Sequence, residues 1–239
     1  MDQEGQRRKL LRSLLRLGIA GAGLTMLPTQ SARALGSIPP KLPPGRSIYK
    51  LSGEVLVDGL RASLNTPVTA SSHIRTGDAS RVIFVVGADA FLLRSNSELQ
   101  LQGEGSLIRG LRMLTGRLLS VFGKTNSQRN IRTATATIGI RGTGIYIESE
   151  ARRSYVCTCY GHTQIQALAD PSQQKDVRTR YHDQPWYILA GDSGPLFQSA
   201  PVIDHTDAEL ELIEELVGRK PPFVEDSLFG GPDGAGGGY

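Results

Sequence analysis

The chain has 239 residues, 39% of them hydrophobic and 6% aromatic, which suits one or two domains of an ordinary globular protein. Its formal net charge of +4 is concentrated at the N-terminus, where Arg7, Arg8, Lys9, Arg12, Arg16 and Arg33 face only Asp2 and Glu4. The remainder is formally neutral, so bulk charge gives no ground for expecting a nucleic-acid partner.

Residues 1–34 read as a signal peptide, with a basic start, an apolar run from Leu17 to Leu27, and Ala32-Arg33-Ala34 placing cleavage after Ala34. The apolar run is too short to span a bilayer. Arg7-Arg8-Lys9-Leu10-Leu11-Arg12 resembles a twin-arginine export signal, with Leu and Arg where Phe and Lys are more usual; an ordinary secretory signal is the alternative. The only cysteines, Cys157 and Cys159, lie far from the cleavage site. A soluble periplasmic protein with no membrane span is expected. Residues 35–46, with Pro39, Pro40, Pro43 and Pro44, read as an extended linker.

From 47 to 168 short apolar runs alternate with turn signals, the pattern of an all-β body. Gly53 to Gly59 alternates and ends in an Asp-Gly turn, and Arg81 to Val86 holds five consecutive apolar residues, as a strand covered on both faces would. Glu98 to Gln102 alternates again, and Leu114 to Phe122 reads as a strand following a turn at Thr115-Gly116. In Ile131 to Glu148, Ala134, Ala136, Ile138 and Ile140 share one face, yet beyond Arg141-Gly142-Thr143-Gly144 the apolar phase moves to Ile145 and Ile147. An unbroken strand would then turn its apolar side chains to the opposite face, so the chain must bulge or turn a corner there. Residues 169–223 form a C-terminal extension: a polar loop from Asp170 to Arg180, an edge strand at Pro185 to Leu189, and a helix over 207–217 opened by the capping box Thr206-Asp207-Ala208-Glu209. Residues 224–239 are a Gly-rich tail.

The ordered segments GEVLVDG, SSHIRTGDASRVIFVVGADAFLLRSNSELQLQ, LTGRLLSVFGK and IRTATATIGIRGTGIYIE resemble the successive motifs of the FecR-type domain, the periplasmic part of ferric-citrate regulators. The resemblance covers 47–168. It implies a twisted β-roll of solenoid character and a non-enzymatic binding role linked to iron sensing. It also implies a partner at the cell envelope, an outer-membrane receptor or regulator. The anti-sigma and transmembrane segments that accompany such domains have no counterpart in this sequence.

Five residue types invite chemistry. Cys157 and Cys159 fall on one face of a strand, with α-carbons about 6.6 Å apart by strand rise, at the outer limit for a disulfide. Two buried thiols, a metal or redox site, and a strained disulfide all remain open. His182 and His205, near the last strand and the helix start, would complete a Cys2His2 set for zinc or iron. His162 lies on the opposite phase of the strand and is left out. The same thiols could instead serve a metal-dependent or thiol redox enzyme. Gly191-Asp192-Ser193-Gly194-Pro195 with His73 faintly resembles a serine hydrolase but lacks an acid at the expected spacing. Arg141 either locks the 141–144 corner or offers its guanidinium to a partner. Tyr146, Tyr155 and Tyr160 could stack sugars on a flat face, a third reading as a glycan or peptidoglycan-binding module.

Overall fold

A computed structural model describes residues 41–43, 45–125, 129–191 and 194–224. The signal peptide and its cleavage site, most of the linker, Ser193 and nearly all of the Gly-rich tail lie outside the described residues.

The first half of the body is built from short strands: β1 (Ile48–Ser52), β2 (Val55–Val57), β3 (Leu60–Arg61), β4 (His73–Thr76), β5 (Arg81–Val86), β6 (Asp89–Leu93) and β7 (Glu98–Glu104). Asp58 and Gly59 both take positive φ (52° and 80°) and join β2 to β3, as expected of an Asp-Gly hairpin. Three 15-residue strands follow, β8 (Leu107–Val121), β10 (Ala136–Glu150) and β11 (Arg153–Ala167), with the short β9 (Arg129–Arg132) between the first two. β12 (Gln174–Thr179), β13 (Trp186–Leu189) and β14 (Phe197–Ser199) complete a 14-stranded mixed sheet, and the α-helix α1 (Asp207–Glu215) packs on it. The fold is all-β with a short C-terminal helix and no closed barrel.

The long strands change neighbours midway. The first half of β8 pairs with β7 and, in parallel, with β9, whereas its second half lies between β6 and β10. The change falls near Gly116, whose φ is +95° and where an added Cβ would sit 2.1 Å from Ser97 Oγ. Thr115-Gly116 is therefore an irregularity inside one strand rather than a turn opening a new one.

β10 carries the corner expected at 141–144. Ala136, Ile138 and Ile140 enter one buried cluster, and Ile145 and Ile147 enter the same cluster after the phase change. The ladder to β11 slips between Arg141 and Gly144, where β10 holds the extra residue, and again between Gly144 and Ile145, where β11 holds it. The two bulges compensate one another, so pairing resumes beyond them. Thr143 locks the corner: its buried hydroxyl donates to His162 O at 3.0 Å and accepts from Arg141 N at 3.2 Å. Arg141 itself is exposed.

Other expectations need correction. The strand begins at Ala136, and Ala134 is exposed, because Thr133 folds its hydroxyl back to accept from Ala136 N at 3.0 Å. The polar stretch read as a loop from Asp170 contains β12, which needs little apolar content because only Val177 of that strand is fully buried. β13 is not the edge, since β14 pairs with it. The extension read as 169–223 thus continues the same sheet through β12, β13 and β14.

Two buried clusters result. One fills the inside of the coiled sheet; the other, with Tyr146, Tyr155, Cys157, Cys159 and Tyr160, lies beneath Leu210, Ile213 and Leu216 of the helical segment. The capping box forms as expected, with Thr206 accepting from Glu209 N.

Candidate metal centre

β11 turns Tyr155, Cys157 and Cys159 towards α1, and both thiols are free and fully buried. The second ladder slip falls at Cys159, so the two cysteines escape the strictly parallel directions of a regular strand. His182 returns to the same strand through its backbone, donating N–H to Cys159 O at 2.8 Å, with φ at 37°. His205 immediately precedes the helix N-cap, and its ring stacks on Tyr146 with centroids 4.6 Å apart. The ligand atoms of Cys157, Cys159, His182 and His205 all lie within 4.8 Å of one another. The four residues singled out from sequence are thereby brought together in three dimensions.

The hydrogen bonds behind the histidines fix which nitrogens face inward. His205 Nδ1 is 2.6 Å from Ile203 O, and a carbonyl can only accept, so Nδ1 carries the proton. His182 Nε2 donates to the Asp207 carboxylate at 3.0 Å. The nitrogens left facing each other, His182 Nδ1 and His205 Nε2, are 3.1 Å apart. Two bare lone pairs at that distance repel, so a proton or a cation belongs between them. Cys157 Sγ lies 3.7 Å from His182 Nδ1. Zinc bond lengths of about 2.0 Å to nitrogen and 2.3 Å to sulfur give tetrahedral edges of about 3.3 Å between nitrogens and about 3.6 Å between nitrogen and sulfur. These two separations are close to those edges, and the four ligand atoms together lie within 4.8 Å of one another.

Without a metal the electrostatics favour a Cys157 thiolate beside a protonated His182 and a Cys159 that keeps its proton, protons that a bound cation would displace. The hydrogen-bonding Cys159 thiol, followed by His182 and His205, pulls the Cys157 thiol down against the cost of its burial. Burial pushes Cys159 up, and its proximity to Cys157 adds to that. For His182, burial opposes the charged form, but Cys157 and Asp207 outweigh it and raise its pKa. Asp207 also accepts from Tyr181 OH at 2.9 Å, so the carboxylate orienting His182 is itself held. Its position in the first turn of α1 favours the negative charge. In the sequence Asp207 looks like a helix-start residue, and nothing there marks it as a histidine partner.

Other candidates stay apart. His73 pairs with Glu98 at 2.8 Å and His162 with Asp176 at 2.9 Å, both away from the cluster. Tyr146, Tyr155 and Tyr160 are buried in the second cluster, so none offers a ring to a sugar. Gly142 of the corner lines a cleft of about 1020 Å³ with Lys124, Arg219 and Lys220 on its walls.

No protein-family model and no curated protein sequence matches this chain. Two solved structures of a "putative anti-sigma factor" from Parabacteroides distasonis are similar in part. One has 12% identity and a TM-score of 0.45, the other 10% and 0.44, each over 53% of this chain. The chain spans 59% of the length of each of those proteins. Among the described residues no helix is long and apolar enough to cross a membrane.

Proposed function

We propose that this chain is an exported, non-enzymatic binding or regulatory protein of the cell envelope, with a zinc centre formed by Cys157, Cys159, His182 and His205. The carrying observation is the pair of inward imidazole nitrogens 3.1 Å apart beside two buried sulfurs. Two thiolates and two neutral imidazoles around zinc are neutral overall, which suits a site closed off from water. Iron could occupy the same ligands, but a closed tetrahedral Cys2His2 set is typical of structural zinc. The centre would tie three segments together: β11, the turn at His182, and the start of α1.

The order of the FecR-type motifs supports a role exercised through protein contacts, with an outer-membrane receptor or regulator as partner and a link to iron sensing. The signal-like residues 1–34 support a periplasmic location. A thiol redox enzyme is the weaker reading, because a substrate would have to reach a sulfur and neither is exposed.

Elemental analysis of the purified chain tests the centre. About one equivalent of zinc is expected, lost in Cys157→Ser and His182→Ala. Cobalt exchange should give the absorption of a tetrahedral thiolate site. Less than about a tenth of an equivalent of metal, with no zinc uptake after reduction, would rule the centre out.

A further inference from the structure

β8 and β9 run in parallel with Arg112 directly opposite Arg132, two positions that alternate with Leu111, Met113 and Ile131 of the first buried cluster. Both are exposed, and among the described residues neither guanidinium has an ion pair or hydrogen-bond partner. Like charges facing each other on adjacent strands cost stability, and among the described residues no acid forms an ion pair with either. Thr137 stands opposite Arg132 on β10, and in the next row Gln102 and Asn130 flank Gly110. The side chains of Gln102, Asn130 and Thr137 likewise have no partner among the described residues. Past the arginines the β8–β9 pairing stops, and these side chains line a cleft of about 650 Å³ together with Leu114, Ala134 and Leu168 and with Leu111 and Met113 of the first buried cluster. That volume is within the usual range for a small-ligand site.

We propose that this cleft binds an acidic glycan, with Arg112 and Arg132 clamping a sugar carboxylate and Gln102, Asn130 and Thr137 bonding hydroxyls. Guanidinium forks match carboxylates, and carboxamides both donate and accept, as hydroxyls require. A peptide is a poorer occupant, because β8 and β9 are each hydrogen-bonded on both sides here and leave no free edge for an added strand. Single-stranded nucleic acid is poorer still, since no aromatic side chain lines the cleft for a base to stack on. This site is independent of the metal centre.

Calorimetry of the chain with tetramers of galacturonate and mannuronate tests the proposal. At least one free acid should bind, its methyl ester should bind about tenfold more weakly or worse, and Arg112→Gln and Arg132→Gln should each weaken the free acid by a similar factor. Arg178→Gln, which removes an exposed ion pair with Asp176, should change affinity by less than about twofold. Each substitution relieves the Arg112–Arg132 repulsion, so a melting temperature equal to or slightly above that of the wild type is expected and checked alongside. Failure of both acids at millimolar concentration overturns the proposal. Equal binding of acid and ester does so as well. So does binding of dextran sulfate as tightly as the uronate with no effect of either substitution, since that would be bulk charge attraction.

Discussion

Replacing Asp89 with asparagine keeps the shape of the side chain and removes its charge, at a point where the charge cannot be screened. Arg129 Nη1 lies 2.6 Å from Asp89 Oδ2, with side-chain exposures of 5% and 4%. Arg129 also donates through Nη2 to Gly123 O and lies over the Phe122 ring, 5.0 Å from its centroid, while its Nε has no partner. The carboxamide oxygen of the substituted side chain can still accept from Gly123 N, a bond of 2.9 Å in the native protein. What Asp89→Asn therefore removes is the countercharge of a guanidinium that stays ionised. Stranding one partner of a buried pair costs about 3–5 kcal/mol, a large part of the roughly 5–15 kcal/mol that stabilises a typical domain. Arg129→Met should behave differently. Burial already pushes the Asp89 carboxyl up, with Arg129 the main opposing influence, so losing Arg129 sends it higher. A carboxyl whose pKa is higher folded than unfolded binds its proton more tightly in the folded state, so stability falls as pH rises through the folded value. The Arg129→Met deficit relative to wild type should thus be smaller at about pH 5.5 than at about pH 7.5, whereas the Asp89→Asn deficit should not grow with pH across that window, since the asparagine does not titrate. The double variant, with no stranded charge, should recover most of either loss. Urea unfolding followed by circular dichroism at both pH values measures all four proteins. A cost below about 1 kcal/mol for Asp89→Asn would mean the pair behaves like a solvated surface pair and would refute the reasoning.

Two further substitutions probe the corner and the helix. In Gly144→Ala the new Cβ would stand 2.3 Å from Tyr160 Cε1, so the midpoint of urea unfolding should fall by the equivalent of about 1–3 kcal/mol. Gly59→Ala meets nothing within 4 Å but forces alanine to a φ near 80°, so it should cost about 1 kcal/mol from backbone strain alone; an unchanged midpoint in Gly144→Ala would show that the Tyr160 ring moves aside freely. Thr206→Ala removes the capping box and should cost about 1 kcal/mol without changing metal content; an unchanged midpoint would show that α1 is held in place without its cap.

The corner was legible because a period of two leaves no freedom: an odd shift between two apolar runs feeding one core requires an extra residue, whatever the tertiary context. The candidate ligands were legible in outline, since both cysteines and three of the four histidines lie in the C-terminal half and strand phase set His162 aside. The rest depended on pairing. β12 shows almost no apolar pattern because only one of its residues is fully covered. The tyrosines near the corner look like surface rings in sequence but are buried beneath a helix that arrives about 50 residues later, Tyr160 bonding Glu214 across that separation. Arg112 and Arg132 become neighbours only through the parallel register of β8 and β9, which no local pattern announces. Lys and Arg along exposed strand faces otherwise read as ordinary solvated charge.

The helix itself shows why the candidate centre sits where it does. α1 has nine residues and only Leu210, Ile213 and Glu214 buried within its span, too short to persist without tertiary partners. Its docking relies on polar fastenings at both ends: Arg94 to Glu209 at 2.9 Å near the start, and Arg219 to Glu214 at 2.6 Å near the end. Arg219 also reaches Ala88 O at 2.6 Å, which ties the end of the helical segment to the turn before β6. At the N-terminal end Asp207 and His205 belong at once to the helix start and to the ligand cluster. Ordering the cluster therefore orders the helix, and docking the helix places His205 against His182. The double bulge opposite Gly144 is what directs Cys157 and Cys159 to that meeting point. Fold organiser and candidate site are mechanically one feature, linked through a single strand.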